Sequence, residues 1–456
     1  MIRAMSTSRR RFLGSLASLG AAAAVAPVAA RFGAASPEAP IHVDASRLRS
    51  ELEALSMFGR PPGGTFADGV SRTAYSDADV AARRYVMDLM RGAGLAPRID
   101  PAGNIFAARA VAPAGVRPIL IGSHIDSVPG GGNFDGALGS LAAIGVARAI
   151  AASGLATRHP VEVVVWAHEE GGTFPNGLNG SRAVVGQLVA GEMDQVWNGL
   201  RRGDAVRRIG GDPDRIGEAL RAPWFHAYLE LHIEQGGTLD RQRVPIGVVE
   251  GIVAISRFRA TIVGAANHAG TTPMADRQDA LVAVSELVLA VRDEVTRLPG
   301  RQVGTVGRLD VTPNAANVIP GRVEASIELR DLSSDKLKTL ADVIGRRAQE
   351  IAARTKTTIT IEPVGGYAGA PAGASVMAAI ERASDALSLA HTRLPSGAGH
   401  DAQMMARLGP MGMIFVPSVG GVSHSPKELT SWEDCARGAD VLLGSVIGID
   451  RVDRLQ

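Results

Sequence analysis

Two apolar runs, Ile119-Leu120-Ile121-Gly122 and Val161-Glu162-Val163-Val164-Val165-Trp166, bracket an alanine-rich stretch from Gly139 to Ser153 that reads as a helix. The first run leads to His124 and the second to Glu169. Strand–helix–strand with polar residues at both strand exits is how open α/β sheets place their sites, outside the carboxyl ends of the strands. Ala227 to His232 leads to a third such exit. Upstream, helical patterns cover Asp44–Ser56 and Asp77–Ala93, with Asp77 as the expected N-cap and Gly92 and Gly94 as the stop.

The texture changes near Val253. Ile255–Val263 alternates as a strand, Arg277–Leu298 is helical, and Gln302–Asp310 and Arg322–Arg330 read as strands. In the Arg277–Leu298 helix, Leu281, Val284, Leu287, Val288 and Val291 are expected on one side. Ser334–Thr355 is helical, with Leu337, Leu340, Ile344, Ala348 and Ile351 on one face, and Thr358–Pro363 is a last strand. That order is β-α-β-β-α-β, the ferredoxin-like split motif. A chain of 456 residues exceeds the size at which one core keeps growing, so two domains are expected. The expectation is an α/β fold with a mixed sheet at 41–247 and 366–450, and an inserted ferredoxin-like lid or dimerisation domain at 248–365.

The formal charge of +2 hides an asymmetry. Residues 1–31 hold five arginines and no acid, so removing them leaves −3. No basic patch for nucleic acid is suggested. Ser8-Arg9-Arg10-Arg11-Phe12-Leu13, followed by an uncharged alanine-rich run to Ala30, has the layout of an export signal and resembles a twin-arginine signal. Residues 1–30 are expected to direct the protein to the periplasm or outside the cell. The apolar run is weak and interrupted by Gly14, Ser15, Ser18 and Gly20, so no stable membrane anchor is expected. The single cysteine, Cys435, reads as a small buried hydrophobe on a C-terminal helix, Trp432 to Ile447.

Five segments carry potential metal ligands: around His124 and Asp126, Asp135, Glu169 and Glu170, His232, and His424. Taken singly, each has a plain alternative: a hydrogen-bonded loop histidine, or an N-cap for Asp135. Adjacent carboxylates at Glu169-Glu170 repel unless something cationic compensates. Asp126 is placed to hydrogen-bond the second ring nitrogen of His124 and fix its tautomer. Three imidazoles and several carboxylates suffice for two divalent ions with a shared carboxylate, an arrangement that activates water and polarises a carbonyl. The ligand set lacks thiolate, which suits zinc, manganese, cobalt or nickel without choosing among them; two divalent ions per subunit are expected, zinc foremost.

The ordered motifs GSHIDSV, GGNFDGALG, HEEGGTF, ELHIEQG, NHAGTTPM and GGVSHSPKE resemble those of M20-type metallohydrolases. More narrowly they resemble the amidase branch that contains N-carbamoyl-L-amino-acid hydrolase, β-ureidopropionase and allantoate amidohydrolase. The resemblance implies a binuclear site in which His124 and His232 hold one metal, Glu170 and His424 the other, and Asp135 bridges. It implies Glu169 as general base, taking a proton from the attacking water and passing it to the leaving nitrogen. It places Gln235 beside the metals, His268 at the developing oxyanion, and Asn317 and Arg330 on a substrate carboxylate. For Arg330 the alternative is a salt bridge with Glu328 or Asp331. His400 lines the pocket or supports it, and His42, His159, His226 and His391 belong to no motif.

Two departures from the pattern stand beside the base: His168 where relatives commonly have Asn, and Gly172-Thr173-Phe174-Pro175-Asn176-Gly177 in place of a more usual Ala/Ser-Arg-Phe stretch. The expected activity is hydrolysis of a linear, non-peptide C–N bond in a small ureido acid such as an N-carbamoyl-amino acid. Allantoate or ureidoglycolate hydrolysis is the nearest alternative, then an aminoacylase or dipeptidase. Outside enzymes, the alternative is an exported binding protein using the same cleft. Relatives dimerise through the inserted domain, which implies a homodimer with hinges near Gly247–Gly251 and Gly365–Gly366.

Overall fold

The computed structural model describes residues 41–109, 115–453 and 455. The export signal expected at residues 1–30 lies outside them. The large sheet begins with β1 (Ala96–Ile99), β2 (Ile105–Ala108), β3 (Ile119–His124), β4 (Val161–Trp166), β5 (Ala227–Ile233) and β6 (Ile246–Ile252). A second sheet follows, formed by β7 (Ala254–Val263), β8 (Val303–Thr312), β9 (Arg322–Asp331) and β10 (Thr358–Tyr367). The large sheet then resumes with β11 (Ala370–Pro371), β12 (His391–Ser396) and β13 (Met411–Val416).

The large sheet runs in the order β1-β2-β4-β3-β5-β13-β6-β11, with β12 also paired to β6. It is mixed. The β3/β4, β3/β5 and β5/β13 pairs are parallel, whereas β2/β4 and β13/β6 are antiparallel. Every residue of β3 and β5 is buried, as expected of central strands covered on both faces. Between β3 and β4 runs α3 (Ala137–Ser153), buried continuously from Ala137 to Ala147. It has no polar face because the sheet lies on one side and other helices on the rest: α1 (Ala45–Leu55) and the C-terminal helix Trp432–Asp450 both pack on it. Small residues let it come close. At Gly139 an added Cβ would overlap the Leu231 carbonyl oxygen and press on Ser123.

The second sheet is antiparallel in the order β8-β9-β7-β10. Helices Ala280–Arg297 and Ser334–Thr355 pack against it, with Val284, Leu287, Val291, Leu337, Leu340, Ile344 and Ile351 in one core with Ile262, Val323 and Leu329. The chain passes between the sheets at Val253 and returns at Ala368-Gly369. Thus Ile246–Ile252 belongs to the large sheet, a few residues past the expected boundary. Leu281 is also off its expected face. It is exposed, and Ala280, Ala283 and Ala290 are buried instead, because the helix lies close enough to the sheet to favour alanine.

Helix Asp77–Gly92 is capped by Ser76, whose side chain accepts from the Asp79 N–H, and not by Asp77. Cys435 is buried in the C-terminal helix. Among the described residues no helix is long and apolar enough to cross a membrane. Replacing Gly139 with valine is expected to cost about 1–3 kcal/mol by overpacking, read as a lower urea midpoint and, because α3 carries the Asp135 turn at its head, as weaker metal retention.

Candidate metal centre

The carboxyl ends of the parallel strands converge on one spot. His124 is the last residue of β3, His232 the penultimate residue of β5, and Glu169 and Glu170 follow β4. Asp135 precedes α3 and His424 lies in the loop after β13. Asp135 stands between the histidines. Its Oδ1 is 3.1 Å from His232 Nε2 and 3.5 Å from His124 Nε2, and its Oδ2 is 3.5 Å from His424 Nε2. His424 Nε2 is in turn 3.2 Å from Glu170 Oε2. Two ligand groups result, His124/Asp135/His232 and Asp135/Glu170/His424, each compact enough to hold one ion. Glu169 belongs to neither group, but its Oε2 is 3.7 Å from His124 Nε2.

The ring nitrogens are presented correctly for ligation. His124 Nδ1 is 3.0 Å from the Asp126 carbonyl oxygen, and His232 Nδ1 is 2.9 Å from the Ile233 carbonyl oxygen. Carbonyls only accept, so each Nδ1 carries a proton, and Nε2, turned toward Asp135, is the nitrogen that would give its lone pair to a cation. The Gly136 N–H donates to His232 Nε2 at 3.2 Å, consistent with that lone pair. On Glu170, Oε1 is buried with no hydrogen-bond partner. An orphaned carboxylate oxygen beside an imidazole is what a cation would satisfy. The residues therefore fit a pair of divalent ions.

Asp126 corrects the expectation made for it. Its carboxylate lies 3.8 Å from His124 Nδ1, too far for a hydrogen bond, and its backbone carbonyl does that work. The carboxylate instead accepts from the Glu169 and Glu170 N–H groups, each at 3.2 Å, and so ties the Glu-Glu turn to the His124 strand end. Glu428 is the matching clamp, unassigned from the sequence. Its Oε1 accepts from the Phe134 and Asp135 N–H groups at 2.9 and 3.0 Å, and its Oε2 is 3.0 Å from Ser423 Oγ. Glu230 is a second omission: fully buried, it accepts from Ser123 Oγ, Tyr228 OH and the Ala402 N–H. The alternation Tyr228, Glu230, His232 on β5 was the available signal.

Gln235 does lie at the cluster, donating from Nε2 to Asp135 Oδ2 at 2.7 Å. His168, Gln235 and His424 all have left-handed backbones, with φ of 54°, 59° and 54°. Three such residues around one cluster mark turns held by their surroundings rather than by local preference. His400 is buried, with Nε2 at 2.9 Å from Ser396 Oγ and its ring against that of His232. It lines the cleft as a support. His168 is buried against Tyr75 and Phe174, and burial lowers its pKa to about 4, so the ring is neutral.

Charge in this space is crowded. Burial pushes the Glu169 carboxyl well above the usual range, with Glu170 adding to it, against His124. Burial raises Glu170 as well, helped by Asp135. Burial opposes a charged His124, yet Glu169, Asp135 and Asp126 outweigh it and hold its pKa well above the ordinary value. The hydrogen bond to Glu170 lifts His424 to about 9. Without metal, protons do the neutralising.

The second sheet contributes unevenly. Arg330 lines the cleft with the cluster residues, but its guanidinium is engaged: Nε and Nη2 reach Glu328 Oε1 at 2.8 and 2.7 Å, and Nη1 donates to the Gly397 carbonyl at 2.6 Å. His268 and Asn317 are exposed and do not line the cleft. His268 Nδ1 accepts from its own turn, from Gly270 and Thr271. The expected grouping of these three over the cluster is therefore not formed within this chain as it stands: the turn bearing His268 and the loop bearing Asn317 pair with each other.

Residues 120–447 match the family described as Peptidase family M20/M25/M40. An N-carbamoyl-L-amino acid amidohydrolase of Geobacillus stearothermophilus is 40% identical over 406 residues, covering 89% of this chain and 98% of that one. A ureidoglycolate hydrolase of Arabidopsis thaliana is 35% identical over 422 residues, covering 90% and 88%. Among solved structures, a hydantoinase/carbamoylase family amidase from Burkholderia ambifaria is similar with a TM-score of 0.81 and 32% identity, over 90% of this chain and 97% of that chain.

Because His424 holds a proton up to about pH 9 in the metal-free protein and must be neutral to ligate, metal binding at neutral pH is expected to release protons. The apparent metal affinity then rises with pH toward about 9 and levels off above it. Titration calorimetry in buffers of different ionisation enthalpy checks this; an enthalpy independent of buffer would contradict the assignment of His424.

Proposed function

From its membership of Peptidase family M20/M25/M40, to which the chain belongs, we infer a metal-dependent amidohydrolase that cleaves a linear C–N bond of an N-carbamoyl-amino acid or similar ureido acid. The observation that carries this is the shared carboxylate. Asp135 turns one oxygen to His124 and His232 and the other to His424, with Glu169 adjacent to the ligand groups and outside them. His124 and His232 would hold one ion, Glu170 and His424 the other, and Asp135 both. Bound there, two divalent ions supply Lewis acidity to the scissile carbonyl and to the attacking water; zinc leads the candidates, with manganese, cobalt and nickel behind it.

Glu169 moves the proton. Burial raises its proton affinity, which is the direction a carboxylate needs if it is to accept a proton and give it up again. Water adds to the carbamoyl carbon, a C–N bond breaks, and the departing nitrogen takes the proton from Glu169. The carbamic acid left behind falls apart, so the products are the amino acid, ammonia and carbon dioxide. Gln235, held against Asp135, faces the same cleft and can bond the ureido group. Arg330 stands on the cleft wall, and its planar fork, held here by Glu328 and the Gly397 carbonyl, would take the substrate carboxylate by exchanging those partners. The support for the ureido reading over a peptide is the Geobacillus relative and the Burkholderia amidase. The Arabidopsis ureidoglycolate hydrolase supports the second reading.

Assayed with purified, metal-loaded protein, N-carbamoyl-amino acids are expected to be turned over ahead of ureidoglycolate, allantoate, acylated amino acids and dipeptides. Cleavage of dipeptides alone would overturn the reading. Glu169→Gln is expected to lower kcat by about 10²–10⁴-fold with metal content kept, as measured by elemental analysis. A binding protein would show neither turnover nor that loss.

The same proposal includes a homodimer. The second sheet ends on β8, and Val303 and Leu309 of that strand are exposed, as are Leu281, Val282 and Leu289 of the adjoining helix. An apolar sheet edge of this kind invites pairing with another copy. His268 and Asn317 would then reach a cluster by closure or from the second copy. Mixing inactive Glu169→Gln with inactive His268→Ala restores activity only if His268 serves the partner, and a fully active monomer by light scattering sinks the dimer. The Arg9-Arg10 pair supports export to the periplasm, which fractionation of cells carrying Arg9→Lys and Arg10→Lys tests.

A further inference from the structure

The cleft around the cluster has a volume of about 840 Å³. Its acidic lining residues are Asp135, Glu169 and Glu170, all in or beside the ligand groups. Its remaining charged lining is four arginines: Arg182, Arg257, Arg330 and Arg407. A site for one carboxylate needs one guanidinium, so the excess calls for an explanation.

Partners account for part of it. On neighbouring strands of the second sheet, Arg257 Nε and Arg330 Nη2 each lie 2.7 Å from Glu328, so two guanidiniums share one carboxylate. Arg182, in the short helix Asn179–Val184, shares Glu192 with the fully buried Arg202, each 2.6 Å from the same oxygen. Arg407 follows the helix Asp401–Met405, which packs on the Asn179–Val184 helix. Its guanidinium is exposed and has no acid, carbonyl or ring partner among the described residues. Arg202 does not line the cleft; the four arginines that do have only Glu192 and Glu328 as carboxylate partners outside the cluster, so two positive charges along the cleft have no carboxylate of their own. One answers the substrate carboxylate already assigned to the Arg330 side.

We propose that the substrate is a dicarboxylic ureido acid, the N-carbamoyl derivative of an acidic amino acid, and that Arg407, with Arg182 beside it, receives the second carboxylate. This rests on the ureido-acid reading of the same cleft and narrows it. Leu178, Met404 and the stems of the two arginines cover the methylenes between the substrate's charges. Binding to an unpaired guanidinium leaves no buried charge behind, unlike breaking one of the shared pairs. Charge-assisted hydrogen bonds of this kind distinguish an anionic from an isosteric neutral side chain by about 10- to 100-fold.

The test compares N-carbamoyl-L-glutamate with N-carbamoyl-L-glutamine, which match in size and differ by one charge, on full-length metal-loaded enzyme. The expected kcat/KM ratio is about 10 or more in favour of the glutamate derivative. In Arg407→Gln the ratio is expected to fall toward one, chiefly through KM. Both substrates are measured on one preparation, so the ratio does not depend on how much of the variant folds. A ratio near one in the unaltered enzyme, with both substrates turned over, overturns the inference and leaves the ureido reading standing. So does a high ratio that Arg407→Gln and Arg182→Gln leave unchanged. Failure of every ureido acid, N-carbamoyl-L-alanine included, overturns the reading itself and the inference with it.

Discussion

Three carboxylates, Asp135, Glu169 and Glu170, stand close together with side chains exposed by less than a tenth. Buried like charges of this kind cannot all ionise without cations among them. The histidines answer that need in the protein alone by holding protons, and cations held by the two ligand groups would answer it in their place. Everything near the cluster serves to hold the acids there regardless. Asp126 grips the two N–H groups of the Glu169-Glu170 turn, and Glu428 grips those of Phe134 and Asp135. Each clamp joins loops far apart in the chain, so the cluster is cross-tied by backbone donors rather than by the ligands themselves. The left-handed residues His168, Gln235 and His424 show what those ties impose on the turns.

The two sheets divide the work. The large sheet carries every residue of the ligand groups on the carboxyl ends of its parallel strands and on the loops that follow them. The second sheet carries Arg257 and Arg330 to the cleft wall on strands that pair directly, with Glu328 between them. The first set is rigid because β3, β4, β5 and α3 form one buried core. The second meets it through a short passage at Val253 and through side-chain ties such as that of Arg330 to the Gly397 carbonyl, so the cleft-facing arginines are joined to the ligand-bearing sheet by far fewer contacts than those that hold the ligands together. The His268 turn and Asn317 loop do not line the cleft and are paired to each other through Asn267–His268 and Val318–Ile319.

Much of the fold was legible because its signals are periodic. The Ser334–Thr355 helix came out with its buried face as expected, and the four long strands of the second sheet to within a few residues at their ends. The misreadings share one cause. Leu281 is the expected buried residue where Ala280 and Ala283 are buried instead, and Asp77 the expected cap where Ser76 caps, because residue type alone does not specify neighbours in space. How closely a helix approaches a sheet decides the first, and the path of the chain before the helix decides the second.

The same division holds at the site. The chain itself determined which residues are available as ligands, since His124, Asp135, Glu169, Glu170, His232 and His424 stand where strands end and glycines allow tight turns. Whether Asp126 supports His124 by its side chain or its backbone was not open to sequence reasoning, because a difference of under one ångström settles it. The clamp by Glu428 was hidden for the same reason: it closes a loop of nearly three hundred residues onto Phe134 and Asp135. The arginine excess needed the tertiary structure too, since Arg182, Arg257, Arg330 and Arg407 meet only where two sheets and two short helices wall one cleft. Residue types and periods are local properties and are written in the chain; which charges face each other is a property of packing, and only the folded molecule decides it.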